Sequence, residues 1–335
     1  MKKTLLTVLT TCLVSVATAQ SFEMGLAGGF TNYFGDLGNN EFFQTTSTRP
    51  GMAITLRHFL GTPKASGYAY RKFDAEARFS WHRLGYDETR PFGGRQGYQL
   101  RNYFRGLSFR TDVFSLEGRV TYTLYKNRRQ PLHIQKSCMY VFTGLGFFYG
   151  KPKADLFRGD VDINNRYFFW SDGTVRDAAE GSGQGNIIEK DGKYETDLTD
   201  WRTEGEEPKS EFGKGKNMCN NHFGIPVGMG FRYGLNKKVI MTFEIAYYKL
   251  FTDCIDNVSN RYAYKSEIDE AFPNDPVKQE LAEYISDPTG RGTDGYPGPQ
   301  TSPRGNPNKS DSYTFISLEF AYRFDFISKK LFGMK

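Results

Sequence analysis

The fold is decided by residues 222–251, which read HFGIPVGMGFRYGLNKKVIMTFEIAYYKLF. Large apolar side chains stand at every second position of 223–233 and again of 239–247. This period of two is typical of a strand with two different faces. Opposed residues of an antiparallel pair share a face, so a three-residue turn at 236–238 keeps both apolar rows on the same side. The stretch therefore predicts a β-hairpin.

The opposite face of this hairpin consists of small residues and two isolated charges, Arg232 and Glu244. A water-soluble sandwich would bury its large side chains and show a polar face to water. Small residues with single charges suit instead the crowded lumen of a narrow barrel whose large side chains face lipid. The apolar rows are long enough for tilted strands to cover most of a bilayer's hydrocarbon layer.

The same alternation recurs in six further stretches, which are 22–31, 52–57, 73–82, 114–124, 139–149 and 316–324. With the two arms of the hairpin they make eight strands, an even number that bacterial single-chain barrels share. An open sheet edge does not survive in lipid, so the sheet should close. The sequence predicts an all-β, eight-stranded antiparallel transmembrane β-barrel with long extracellular loops. Both faces of 139–149 are apolar, which leaves its facing open, and Pro226 predicts a bulge.

Charged residues on the inward face should fill the lumen. The predicted lumen charge network is Glu76, Arg78, Glu117, Arg119, Arg232, Glu244, Glu319 and Arg323. Eight strands enclose a space that side chains fill, and opposite charges in that space must pair to offset their desolvation. The network is interpreted as a structural plug, with a proton or ion path as the alternative.

Residues 1–19 combine a basic start, a short apolar run and a small-residue cleavage site, which predicts a secretory signal peptide. The rest, 20–335, is expected to be one barrel domain. Its connections alternate between short and long, and in outer-membrane barrels the short turns face the periplasm. The predicted location is therefore the outer membrane, with both chain termini in the periplasm.

Two loops, 150–221 and 253–311, are too long for simple connections. The second carries two helix signals. Ser266 and Glu267 open a stretch that resembles a capping box. Asp275-Pro276 predicts a helix with Val277, Leu281 and Ile285 on one face. The loops are expected to form a small cap or a docking surface.

The periplasmic turns and the tail are basic by contrast. The candidate docking residues are Lys126, Arg128, Arg129, Lys237, Lys238, Lys329 and Lys330. Two interpretations stay open: a solvated rim near lipid phosphates, or a face that docks a periplasmic partner.

Catalytic, cofactor and metal chemistry is not predicted. The histidines are scattered, and His82 with Asp87 alone does not make a site at the rim of the barrel. Asp160 begins a calcium-loop pattern that lacks the required Gly and final Glu. Cys219 and Cys254 are a candidate disulfide pair, although strand parity puts them on opposite faces. No nucleic-acid motif is present.

Five stretches together resemble the PorG-like outer-membrane barrels of the Bacteroidetes type IX secretion system. They are 28–37, 112–117, 140–154, 223–230 and 251–259. The resemblance implies a non-enzymatic component of the secretion machinery, tied to a periplasmic ring of the PorK lipoprotein and PorN. Such a barrel would hold that ring beneath the outer membrane. The competing hypotheses are a small channel or porin, an enzyme at the barrel rim, and a structural or adhesin barrel.

Overall fold

The structure is a computed structural model that describes residues 21–37, 45–59, 72–89, 98–125, 136–183, 185–204, 220–291 and 303–325. Several sequence predictions fall outside these ranges. They concern the signal peptide, Cys219 and the basic residues Lys126, Arg128, Arg129, Lys329 and Lys330.

Eight long strands form a closed ring. In chain order they are β1 (Ser21–Phe34), β2 (Arg49–Phe59), β3 (Phe73–Asp87), β4 (Ser108–Thr123), β5 (Ser137–Tyr149), β6 (Asn221–Gly234), β7 (Val239–Leu250) and β8 (Ser312–Asp325). Consecutive strands pair antiparallel, and β1 pairs with β8. Each of these eight strands thus has a neighbour on both sides, as a sheet in lipid requires. The predicted eight-stranded antiparallel β-barrel is confirmed.

The hairpin that decided the fold is formed by β6 and β7. Tyr233 lies opposite Met241, and the amide of Leu235 donates to the carbonyl of Val239 at 3.0 Å. Residues 236–238 therefore make the three-residue turn that keeps the two apolar rows on one face.

The predicted bulge at Pro226 is wrong. The register between β6 and β5 is the same on both sides of the proline, with Gly224 opposite Gly146 and Val227 opposite Thr143. Proline lacks the N–H that a ladder needs. The pairing between β6 and β5 is therefore interrupted at the proline, but neither strand contains the extra residue that defines a bulge.

The burial pattern is inverted relative to a water-soluble protein. Phe79, Leu116 and Phe320 on the outer surface are 51, 58 and 51% exposed, whereas Glu117 and Arg323 in the lumen are 1 and 8% exposed. An outer belt of large apolar side chains around a polar interior is the arrangement of a barrel that faces lipid. The facing predicted from the alternation is therefore confirmed for these strands.

The facing of β5, which its sequence left open, follows from burial. Tyr140, Phe142 and Phe148 point into the lumen and are 5% exposed or less, while Val141 and Leu145 face outward. The inward row of this strand is therefore aromatic rather than charged.

Four longer connections, 35–48, 88–107, 150–220 and 251–311, leave the same end of the barrel. We call their described residues the cap. It contains helices α1 (Tyr98–Arg105), α2 (Lys265–Ala271) and α3 (Pro276–Ser286), and 3-10 turns at Thr45–Ser47, Ile163–Asn165 and Leu198–Asp200. Two small ladders pair Pro152–Ala154 with Thr196–Asp197 and Phe168–Phe169 with Val175–Arg176. Among the described residues, no helix is long and apolar enough to cross a membrane.

The two helices predicted in the last connection are present, with two corrections. The N-cap of α2 is Tyr264 rather than Ser266, because Glu267 reaches back and accepts from the Tyr264 amide at 2.8 Å. In α3, Leu281 and Ile285 are buried as predicted. Val277 is 61% exposed because the first turn of α3 is exposed and does not pack against the rest of the cap.

Candidate functional site: a charged lumen beneath a folded cap

The lumen contains a layer of paired charges centred on Arg57. Its guanidinium binds Glu23 at 2.8 Å, Glu76 at 3.1 Å and Glu319 at 3.1 Å, so one side chain links carboxylates from β1, β3 and β8. Each of these side chains is at most 1% exposed. Three opposite charges around one guanidinium offset the large desolvation penalty of burying them.

A second set of pairs extends the layer around the barrel wall. Arg78 binds Glu244 at 2.6 Å. Arg119 binds Glu244 at 3.1 Å, Glu76 at 3.0 Å and Glu117 at 3.3 Å. Glu76 thus joins both sets. The contacts cross between strands on all sides of the lumen and so fill it rather than line it.

Neutral side chains complete this layer. The Tyr140 hydroxyl donates to Glu244 at 2.6 Å, and the Ser80 and Ser115 hydroxyls bond to Glu117 at 3.0 and 2.7 Å. The Arg119 guanidinium lies 3.8 Å from the centre of the Phe142 ring, a cation–π contact. These neutral partners add hydrogen bonds to Glu244 and Glu117 beyond the charge pairs.

Every member of the sequence-predicted lumen network lies in this layer or adjoins it. Arg323 binds Glu23 at 2.6 Å, and Arg232 binds Asp74 at 3.1 Å. The prediction omitted Glu23, Arg57 and Asp74. The alternation already placed all three on the inward face, so that signal was sufficient to include them. We call the full set the charge layer: Glu23, Arg57, Asp74, Glu76, Arg78, Glu117, Arg119, Arg232, Glu244, Glu319 and Arg323.

An aromatic layer closes the lumen between the charge layer and the cap. It consists of His82, Phe148, Tyr248, Tyr313 and Phe315, all fully buried. The rings of Tyr248 and Tyr313 stack at 4.5 Å, and the Tyr313 hydroxyl bonds to Nδ1 of His82 at 3.0 Å. His82 is thus a packed lumen residue. Asp87 bonds instead to Thr89 and Lys190, so these two residues do not form an acid–histidine pair.

The cap is tied to the mouth of the barrel by residues 253–259, a run that is buried throughout. The Tyr33 hydroxyl of β1 donates to Asp256, and lies 3.3 Å from Asp311. Asp256 also accepts from the Val258 amide at 2.9 Å, and Asp311 accepts from the Ile255 amide at 3.0 Å. The carboxylates here serve as local anchors for backbone amides.

Burial raises the pKa of both of these carboxyl groups. Burial raises the pKa of Asp256 to about 8, a rise that Tyr33 opposes by donating a hydrogen bond and Asp36 supports by its charge. The pKa of Asp311 is raised well above its usual range by burial and by the neighbouring Asp256 and Asp253. Carboxyl groups of this kind hold protons near neutral pH.

The side chains of Arg304 and Arg105 fasten the loops of the cap to one another. Arg304 binds Glu204 at 3.2 Å, with both side chains 1% exposed. Arg105 binds Glu88 and also donates to the carbonyls of Arg304 and Asp36, each at 3.0 Å. Four separate connections are therefore joined at this end. Cys254 is buried in the same region, and its predicted disulfide partner lies outside the described residues.

The opposite end of the barrel carries the turn between β6 and β7. Lys237 and Lys238 of this turn are exposed, and the turn lies at the end where β1 begins and β8 finishes. These are the two candidate docking residues within the described ranges. Their ammonium groups are available to water, lipid phosphates or an acidic partner.

No protein-family model matches the chain, and no curated protein matches it. Among solved structures, the attachment invasion locus protein Ail of Yersinia pestis, determined with the heparin analogue sucrose octasulfate, is 7% identical. The match covers 92% of this chain and 100% of that one, with a TM-score of 0.34. Neisserial surface protein A is 6% identical over 90% and 97% of the two chains, with a TM-score of 0.34.

A major outer membrane protein of Thermus thermophilus is 10% identical over 91% of this chain and 98% of its own, with a TM-score of 0.33. Identities and TM-scores this low do not transfer any of these proteins' activities to this chain.

Proposed function

We propose that this chain is a non-enzymatic outer-membrane barrel that anchors a periplasmic assembly in type IX protein secretion. The observation that carries the proposal is the filled lumen. The charge layer and the aromatic layer occupy it in series, and the cap covers one mouth. A barrel without an open path acts through the surfaces at its two ends, which favours anchoring over the transport of a solute.

The choice of partner rests on the sequence resemblance. Two of the five stretches that carry it, 28–37 and 251–259, contact each other where Tyr33 donates to Asp256. This contact supports treating the resemblance as one structural unit rather than as scattered matches. The partners it implies are the PorK lipoprotein and PorN.

The proposed docking face is the basic end of the barrel. In this proposal the end that carries Lys237 and Lys238 faces the periplasm, together with both chain termini. Exposed ammonium groups around a barrel rim would steer an acidic surface of the ring towards the membrane. Arg128 and Arg129 belong to the same face by sequence.

The test is co-purification of the ring from membranes solubilised in mild detergent. Reversing the charge at Lys237 and Lys238, alone and with Arg128→Glu and Arg129→Glu, should reduce the amount of PorK and PorN recovered with the barrel. The control reverses two exposed charges at the cap end, Lys153→Glu and Arg158→Glu, which should leave recovery unchanged.

Unchanged recovery with all four rim charges reversed would overturn the docking face. Absence of the ring from the unmodified barrel would overturn the anchoring role itself and favour a structural or adhesin barrel. The channel alternative is opposed by the filled lumen, and conductance tests it separately.

A further inference from the structure

We infer that the cap contains a divalent-cation site, suited to Ca²⁺, formed by Asp155, Asp191 and Glu195. One carboxylate oxygen of each residue lies within 4.8 Å of the others. Hard oxygen donors without histidine or cysteine favour Ca²⁺ over zinc or copper. This inference is independent of the proposed function.

The local chain path brings these residues together. Ala154 pairs with Thr196 in the short ladder of the cap. Asp155 follows Ala154 and Glu195 precedes Thr196, so both lie at the same end of this ladder. Asp191 arrives from a turn whose next residue, Gly192, has a φ of +71° that favours glycine. The path of the backbone therefore brings the three carboxylates together.

Two oxygens of the cluster have no hydrogen-bond partner although they are buried. They are Oδ1 of Asp155 and Oε2 of Glu195. Asp155 is only 3% exposed, and its other oxygen accepts from the Gly192 amide at 2.9 Å. A buried carboxylate oxygen without a partner is costly, and a bound cation would remove that cost.

The second oxygen of Glu195 shows that the carboxylate is already fixed. Its Oε1 accepts from the amides of Leu156 and Phe157 at 2.9 and 3.0 Å. The rotamer is therefore set before any ion arrives, and Oε2 is the atom that remains for it. Preorganised oxygens of this kind lower the cost of ordering a loop around a cation.

Nearby lysines offset the charge of the cluster only in part. Lys190 donates towards Asp87, Thr89 and Ser108, and Lys193 pairs with Asp191 at 3.3 Å but is 66% exposed. Within the described part of the chain, neither Asp155 nor Glu195 has a lysine or arginine within ion-pair distance. The cluster keeps a surplus of negative charge.

The experiment titrates Ca²⁺ into the purified full-length barrel in detergent. Terbium luminescence, excited through Tyr167, is the readout, because the Tyr167 hydroxyl accepts from the Asp191 amide at 2.9 Å. Binding is expected in the range of extracellular sites, with a Kd of about 10⁻⁴–10⁻³ M, and Ca²⁺ should displace terbium. Asp155→Asn and Glu195→Gln should each weaken binding about tenfold or more, since each removes one charged ligand.

The matched control is Asp160→Asn, an exposed acid of the same loop that begins the incomplete calcium-loop pattern. It should bind as the unmodified protein does. A second readout is protection of residues 150–220 from protease by Ca²⁺, which should disappear in Asp155→Asn. Absence of a terbium signal from the unmodified barrel, or equal affinity in all variants, would overturn the site.

Discussion

At the scale of single residues, Arg57 shows why the charge layer is held together cooperatively. Its three carboxylate partners come from three strands and are as deeply buried as the guanidinium. Removing one partner of a buried ion pair leaves the other charge buried and unpaired. The resulting loss of stability is far larger than the stability that the pair contributed by forming. Arg57 should therefore be among the residues whose loss the barrel tolerates least.

Arg57→Met should lower the free energy of unfolding by about 3–5 kcal/mol. The measurement is urea unfolding in detergent, followed by far-UV circular dichroism. The control is Arg83→Met: Arg83 pairs with Asp112 at 2.8 Å, but both side chains are about one third exposed. That change should cost less than about 1 kcal/mol. Equal losses from the two substitutions would contradict a buried, interdependent charge layer.

Asp256 should make closure of the cap depend on pH. Its pKa is about 8 in the folded cap against a usual 3.8. Below about pH 4 both the closed and the open state hold the proton, and the contribution of Asp256 to stability is fully present. Between these values the open state releases its proton and the closed state keeps it, so rising pH favours opening. Above about pH 8 no further loss occurs.

Hydrogen exchange at the Ile255 and Val258 amides would measure this effect. Both amides donate to the carboxylates of the mouth. After correction for intrinsic rates, their protection should fall as pH rises from about 4 to about 8. Asp256→Asn should reduce that dependence, and the part that remains belongs to Asp311, whose pKa is also raised. The exposed Asp160→Asn should leave it unchanged. A steeper dependence in Asp256→Asn would show that other groups control the mouth.

At the scale of elements, the strands were predictable because lipid and lumen impose opposite demands on alternate residues. The facing of β5 was not, because it depends on β6, a strand some 70 residues later in the chain. Tyr140 and Phe142 turn inward where β6 presents Gly230 and Gly228 directly opposite them. The sequence of β5 alone contains no information about the space that these glycines leave.

The cap illustrates a second limit. Helix α3 was predictable from its local start signal and apolar stripe. The ion pair between Arg304 and Glu204 joins residues 100 positions apart, and periodicity carries no information about such a contact. The metal candidate was missed for the same reason, since Asp155 and Glu195 become neighbours only through pairing of the short ladder.

The glycines of β6 are expected to be spacers for rings of β5. A Cβ built on Gly230 would lie 2.4 Å from the Tyr140 ring. Gly230→Ala should therefore displace Tyr140 from Glu244 and destabilise the barrel by about 1–3 kcal/mol. Gly118 on the lipid face has no heavy atom within 4 Å of such a Cβ, so Gly118→Ala should be close to neutral. Urea midpoints of the two variants test the difference; a larger loss in Gly118→Ala would contradict it.

At the scale of the whole molecule, two barriers lie in series along the barrel axis. The charge layer spans the lumen through contacts such as Arg57 to Glu319 and Arg78 to Glu244. The aromatic layer lies above it, and the cap lies above both. Paired charges of both signs give no continuous path of one polarity for an ion to follow. Sealing therefore belongs to the barrel itself and does not require the cap.

Planar-bilayer conductance should consequently be near zero for the full-length chain, and it should stay near zero when the long connections of the cap are shortened. If the cap were the seal, shortening it would produce ion-conducting steps, since the lumen beneath would be accessible to water.

A third variant separates the two layers: Glu23→Ser with Arg57→Ser removes a pair at the centre of the charge layer and leaves the rings of Tyr248 and Tyr313 in place. Conductance should remain low there as well, because the aromatic layer still fills the lumen. Steps in the shortened variant alone would instead mean that the cap gates a latent pore, and the anchoring role would then have to accommodate a transport function.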